Sequence, residues 1–153
     1  MKNSTGQPRK PAQVIIISNN RRLENPGENL ALRPKAKIFL RDCEIQNVLT
    51  EAEELIKTGH SMLADPLPPN YTLFSSPVRS LVFAGEKIEL EQEQTEMMMR
   101  KLEAYRYRLE RQKLDFERRA EYEKLDLWQL SNILQEIYRG GSYSAVKAEQ
   151  NQN

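Results

Sequence analysis

The sequence predicts an α/β fold: a small, mostly parallel sheet of about four strands with one βαβ crossover helix, followed by a long charged helix and a short C-terminal helix. Three observations carry this prediction. Val14-Ile15-Ile16-Ile17 is an unbroken β-branched run, the pattern of a central strand covered on both faces. From residue 45 the apolar period switches to that of a helix. Finally, a strand-length run, a helix of about fifteen residues and a second strand-length run follow one another, the order of a right-handed crossover.

The first strand spans Gln13 to Ser18 and is stopped by Asn19-Asn20. Asn25-Pro26-Gly27 marks a turn in a loop reaching Pro34, and Lys37-Ile38-Phe39-Leu40 is a weaker second strand. The crossover helix follows, with Ile45, Val48, Leu49, Ala52, Leu55 and Ile56 on one stripe and charged or amide residues elsewhere. Asp42 is the expected N-cap, Glu44 favours the positive end of the dipole, and Gly59 is the expected stop behind Lys57. His60 to Ala64 forms a third strand, parallel to 37–40, and Val78 to Ala84 a fourth. Between them lies a loop in which Pro66, Pro68 and Pro69 forbid a helix or a central strand.

The second half is helical from about Lys87 to Glu123, with Met98, Leu102, Tyr105, Leu109, Phe116 and Ala120 on one stripe that Gln112 interrupts. Glu96/Arg100, Arg106/Glu110 and Lys113/Glu117 stand four apart as charge pairs on its exposed face. A last helix starts at Asp126, which forms a capping box with Gln129 while Leu125 and Leu130 form a staple, and it ends before Gly140-Gly141. Its inner face is Leu127, Leu130, Leu134 and Ile137. Residues 1–12 read as a flexible basic arm, 13–139 as a single α/β domain with C-terminal helices, and 140–153 as a disordered tail.

The composition excludes several kinds of chemistry. A single cysteine, Cys43, cannot form an intrachain disulfide, and a single histidine, His60, cannot anchor a multi-histidine metal site. Neither a metal nor another cofactor is expected. No apolar run approaches the ~18 residues of a membrane span and no apolar leader is present, so a cytoplasmic location without membrane contact is expected. The net charge of +1 hides a segregation: residues 1–41 hold nine basic and two acidic side chains, residues 42–99 three basic and eleven acidic. The basic arm carries no aromatic residue before Phe39, so nucleic acid is disfavoured and docking on the protein's own acidic middle is preferred.

Ligands of open α/β sheets sit at the carboxyl ends of the strands. That edge collects Ser18, Asn19 and Asn20, then Arg41 with Asp42, then Asp65 with Pro66. Amides, a hydroxyl and an arginine beside a helix N-terminus could hold a small anion, but no glycine-rich phosphate motif accompanies them. Strand termination by side-chain bonding is the plainer role of Ser18-Asn19-Asn20. His60 is expected to bond the last carbonyls of the crossover helix, and Cys43, flanked by Asp42 and Glu44, to pack rather than react. The loop 65–77 sets Tyr71, Leu73 and Phe74 among prolines, which suits either recognition or a lid on the core. Met97-Met98-Met99 reads as core packing, with an adaptable surface as the alternative.

Ile15-Ile16-Ile17-Ser18-Asn19-Asn20, then Gly59-His60, Leu63, Pro66-Leu67 and Pro77 with Arg79-Ser80, resemble the GrdX family. Its members open with a strand ending in Thr/Ser-Asn-Asn and later show Gly-His…Leu…His-Pro-Leu leading into Thr-Pro-aromatic-basic-Ser. The resemblance covers about residues 13–84, and Leu125-Asp126-Leu127 with Leu130 echo the C-terminal segment. Asp65 stands where the family usually has histidine, Pro69-Asn70 replaces a Gly-Ser, and Leu73-Phe74-Ser75 replaces a Pro-Asn-Glu-like stretch. The resemblance implies an accessory protein encoded beside the glycine, sarcosine or betaine reductase systems of anaerobic bacteria.

Three readings follow. The first is a non-catalytic accessory protein that binds a reductase component or another protein through the 65–77 loop and the strand end, using Ser18, Asn19, Asn20, Arg41, Asp65, Tyr71, Phe74 and Arg79. The second is a small-anion or metabolite-binding protein or enzyme built on Ser18-Asn19-Asn20. The third is a structural module that forms a homodimer through the 97–120 helix.

Overall fold

The computed structural model describes residues 13–24, 36–40 and 44–138. The expectations for the arm 1–12, the turn at 25–34, Arg41, Asp42, Cys43 and the tail 140–153 lie outside the described residues. The element order is β1 (Val14–Ser18), a 3₁₀ turn (Arg21–Glu24), β2 (Ala36–Leu40), α1 (Ile45–Lys57), a 3₁₀ turn (Tyr71–Ser75), β3 (Ser80–Ala84), α2 (Gln92–Arg111), a 3₁₀ turn (Phe116–Arg118) and α3 (Arg119–Tyr138).

The sheet has three strands in the order β2-β1-β3 and is mixed. β1 runs parallel to β2, with Ile16 opposite Ile38, and antiparallel to β3, with Ile16 opposite Val82. Because side chains alternate across a strand, the β-branched run of β1 feeds two cores. Ile15 and Ile17 join Leu81 and Phe83 of β3 on one face, under Val48, Leu49, Ala52 and Ile56 of α1 and Leu102, Tyr105 and Leu109 of α2. Val14 and Ile16 join Val82 on the other face, under Leu23 and Leu130, Leu134 and Ile137 of α3. The result is three layers, with the sheet between the α1/α2 pair and α3. Coverage of β1 on both faces agrees with the sequence.

Several features differ from the sequence expectation. The segment 60–64, expected as the third strand, is not a strand and does not lie beside β2: it makes a single antiparallel bridge, Met62 to Phe83, on the outer edge of β3. Its backbone is nonetheless used, since Leu63 N donates to Val82 O (2.9 Å) and Ala84 N to Ser61 O (2.8 Å). A strand cannot extend there, because Pro66, one residue beyond Asp65, lacks a donor. The sheet is therefore not mostly parallel, and α1 links β2 to this edge rather than to a parallel neighbour of β2.

The long helix is also two helices. α2 stops at Arg111, Gln112 takes an extended backbone, and α3 begins at Arg119, seven residues before the expected Asp126. The break is tied to the loop before β3: Gln112 Nε2 donates to Ser75 Oγ (2.9 Å) and Asp115 N to Ser75 O (2.8 Å). The α2 stripe holds at Met98, Leu102, Tyr105 and Leu109, whereas Phe116, past the break, is 62% exposed and Ala120 is exposed. Leu125 is exposed and forms no staple. Glu96/Arg100 pair at 3.9 Å, but Arg106 turns from Glu110 to Glu53 of α1.

At the end of α1, Gly59 adopts φ +99°, a left-handed conformation open to glycine and strained for other residues. The N-cap is Glu44, which makes no side-chain cap bond. His60 uses its backbone N–H, not its ring, on the helix, donating to Leu55 O (2.9 Å). Its ring reaches β3 instead: Nδ1–H donates to the Ala84 carbonyl (2.9 Å), which fixes the tautomer because a carbonyl only accepts.

Candidate functional site

At the carboxyl end of β1 the chain buries Ser18, Asn19 and Asn20 completely. Polar groups removed from water must find partners, and each of these does. Asn19 Nδ2 donates to Pro77 O (2.9 Å), and its Oδ1 accepts from Arg79 N (2.9 Å). Asn20 Nδ2 donates to Glu123 O (2.9 Å) and Asp126 Oδ2 (3.0 Å), while its Oδ1 accepts from Arg22 N (3.0 Å). Ser18 Oγ accepts from Asn20 N (2.9 Å) and lies 2.7 Å from Ser80 Oγ. The motif is a clasp that joins the end of β1 to the 76–80 segment and to α3.

Asp126 sits at the centre of the clasp, accepting from Ser80 N (2.9 Å), Ser80 Oγ and Asn20 Nδ2. Burial pushes its carboxyl above the ordinary value of 3.8, while the bonds from Ser80 and Asn20 and the charge of Arg79 act in the opposite direction. Tyr105, on the other side of the sheet end, has a buried hydroxyl with no hydrogen-bond partner, and burial raises its pKa to about 12. A second acid of α3, Glu123, is also buried and faces Arg21 (3.4 Å), Arg22 (3.9 Å) and Arg119 (3.5 Å). Two of the basic residues near the N-terminus thus pair with α3, not with the acidic middle of the chain.

Arg79 is the second organiser. Its guanidinium is buried and donates through Nε to Pro66 O (3.0 Å), through Nη2 to Asp65 O and Leu67 O (both 3.3 Å), and through Nη1 to Gln129 Oε1 (3.2 Å). It spans from the start of the proline loop to α3. The loop is therefore pinned at both ends, by Arg79 at 65–67 and by Asn19 at Pro77. Its middle turns outward: Asn70 caps the 3₁₀ turn by accepting from Leu73 N (3.2 Å), and Tyr71 is 71% exposed. Phe74 turns inward against Tyr105, ring centroids 5.8 Å apart and edge to face. Arg108 of α2 lies over both the Tyr71 ring (5.0 Å) and the Phe74 ring (4.4 Å).

The structure thus brings Ser18, Asn19, Asn20, Arg79, Pro66, Leu67 and Pro77 together as one clasp, places Tyr71 on the surface it supports and packs Phe74 beneath it against the core. Asp65 gives its carbonyl to Arg79 and its carboxylate to Lys101 (3.0 Å), while Gly59 and His60 stand apart at the far end of the sheet. Ser80, Tyr105, Arg108, Glu123, Asp126 and Gln129 were not anticipated as site residues. Glu123 and Asp126 have a sequence signal, because they continue the Leu130, Leu134, Ile137 spacing backwards and so put two acids on an inner face.

The space left at the clasp is a cavity of about 10 Å³ lined by Leu73, Ser76, Val78, Arg79, Tyr122, Asp126 and Gln129, room for one water-sized group. A larger hollow of about 410 Å³ at the α2–α3 break is walled only by residues 113–117. Among the described residues no cluster of three or more His, Cys, Asp or Glu side chains could hold a metal, and no helix is long and apolar enough to cross a membrane.

Among curated proteins nothing matches this chain, and among solved structures nothing matches it. The family model described as GrdX-like protein matches residues 15–135, a span that runs from β1 through the clasp residues of α3. With the Ser-Asn-Asn strand end, the Pro-Leu loop and Arg79-Ser80 joined to α3 in a single network inside that span, the chain belongs to the GrdX-like protein family.

Proposed function

We propose that the chain is a non-catalytic accessory protein of the GrdX type that works by binding a component of a glycine, sarcosine or betaine reductase system through its 65–77 loop. One observation carries the reading: buried Arg79 and Asn19 hold both ends of a surface loop whose Tyr71 ring is 71% exposed. Buried polar groups spent on fixing a loop reduce the ordering cost of recognition, and an exposed tyrosine on such a support is a typical anchor. The small-anion reading is weaker, because the Ser18-Asn19-Asn20 groups bond to the protein itself and the adjoining cavity of about 10 Å³ is smaller than a metabolite.

Titration calorimetry of the purified chain against each purified reductase component tests the proposal. Binding to at least one component is expected, weakened by roughly tenfold or more in Tyr71→Ala, the usual scale of an aromatic anchor. Absence of binding to every component would remove the reductase partnership.

A further inference from the structure

We propose that Arg108, whose guanidinium lies over the Tyr71 and Phe74 rings, is the receiving group for a single carboxylate of the protein partner. The inference rests on the binding reading above and names the partner's chemistry. Helix α2 carries five cationic side chains: Arg100, Lys101, Arg106, Arg108 and Arg111. Four are paired with carboxylates: Arg100 with Glu96 (3.9 Å), Lys101 with Asp65 (3.0 Å), Arg106 with Glu53, and Arg111 with Glu110 (3.7 Å). Among the described residues Arg108 has no carboxylate partner, and its contacts are two aromatic rings.

This arrangement differs from an idle surface arginine. Two rings, their centroids within 5.0 Å of its Cζ, restrict the guanidinium, while its N–H donors lie in the guanidinium plane and can fork onto a carboxylate. A fork ordered in advance loses less freedom when it closes on a carboxylate, and partial desolvation by the rings strengthens the charge-assisted bonds. Tyr71 extends the site with an exposed ring that an apolar side chain next to the partner's acid can cover.

The charge pattern decides between classes of partner. A nucleic-acid backbone calls for a row of cations facing successive phosphates. Here the neighbours of Arg108 are neutralised by Asp65, Glu96 and Glu110, so among the described residues α2 offers one guanidinium without a carboxylate partner, set among carboxylates. A single Asp or Glu beside an apolar residue fits that surface.

The test uses immobilised heptapeptides with a central Phe, one adjacent Asp or Glu, and Ser or Gly at the other positions. Matched peptides carrying Asn or Gln and a single-stranded oligonucleotide serve as comparisons. The full chain is expected to be retained on the acidic peptides alone. Retention should fall at least about tenfold in Arg108→Gln and recover only in part in Arg108→Lys, which restores charge but not the fork. Unchanged far-ultraviolet dichroism of both variants separates this loss from unfolding. Equal retention on acidic and amide peptides, retention unaffected by Arg108→Gln, or preference for the oligonucleotide would each overturn the proposal. If Tyr71→Ala still weakens binding to a reductase component in that case, the binding function stands and only the carboxylate chemistry fails.

Discussion

Asp126 does at the level of one residue what the Ser-Asn-Asn motif does at the level of the chain. Its two carboxylate oxygens collect a backbone N–H, a hydroxyl and an amide from β3 and from the end of β1, so it is the point at which α3 is keyed to the sheet. Asp126→Ala strands Ser80 N–H and one Asn20 donor in the interior, a loss of roughly 2–4 kcal/mol. The penalty should also depend on pH. Because burial raises the folded carboxyl above 3.8, the folded state holds its proton more tightly than the unfolded chain. The contribution is then full below the ordinary value and is lost as pH rises through the folded value. Urea unfolding of wild type and variant at pH 4 and pH 8 checks this: the stability gap should be wider at pH 4. A gap wider at pH 8 would show that Asp126 is held as a carboxylate with a lowered pKa, and a constant gap that its pKa is unshifted; either overturns the expectation.

Among the elements, the end of α1 shows how much of the chain is legible from its sequence. Gly59 was expected as the stop of this helix, and φ +99° explains why glycine is needed there. The structure adds that a Cβ at this position would lie 2.6 Å from the Ile88 carbonyl oxygen. Gly59→Ala combines left-handed strain with a backbone clash, and a loss of roughly 2 kcal/mol or more is expected. Differential scanning calorimetry should place its Tm lower by about 5 °C or more, and an unchanged Tm would mean that α1 ends elsewhere. α1 itself and the covered strand β1 were readable because their period and β-branching are local properties. The division of α2 from α3 was not, although Gln112 marked it, because the break depends on Ser75, a residue 37 positions away. Asp126 was misread for a related reason: Asp-x-x-Gln has the form of a helix start, and only the tertiary partners Ser80 and Asn20 place it inside the helix. The expected third strand, 60–64, failed on topology, since local pattern cannot distinguish a β3 edge bridge from a β2 neighbour.

At the scale of the whole molecule, the distribution of apolar surface bears on assembly. A 97–120 helix that dimerised would have to present the stripe Met98, Leu102, Tyr105 and Leu109 to a second copy. That stripe is instead buried against α1 and the sheet, and the helix is interrupted at 112, so its remaining outward apolar residues, Met97, Tyr107 and Phe116, are separated rather than joined in a seam. Charge works in the same direction. Among the described residues the cations of α2 other than Arg108 are paired with acids of the same chain, so α2 offers few free charges to a second copy of itself. An α2 face with separated apolar residues lacks the continuous seam that a helix-mediated dimer packs. Sedimentation equilibrium is therefore expected to give the 17.9 kDa monomer across the micromolar range. A species of twice that mass, abolished by Tyr107→Glu but not by Arg108→Gln, would restore the α2 dimer and would move the exposed aromatic residues from partner recognition to self-association.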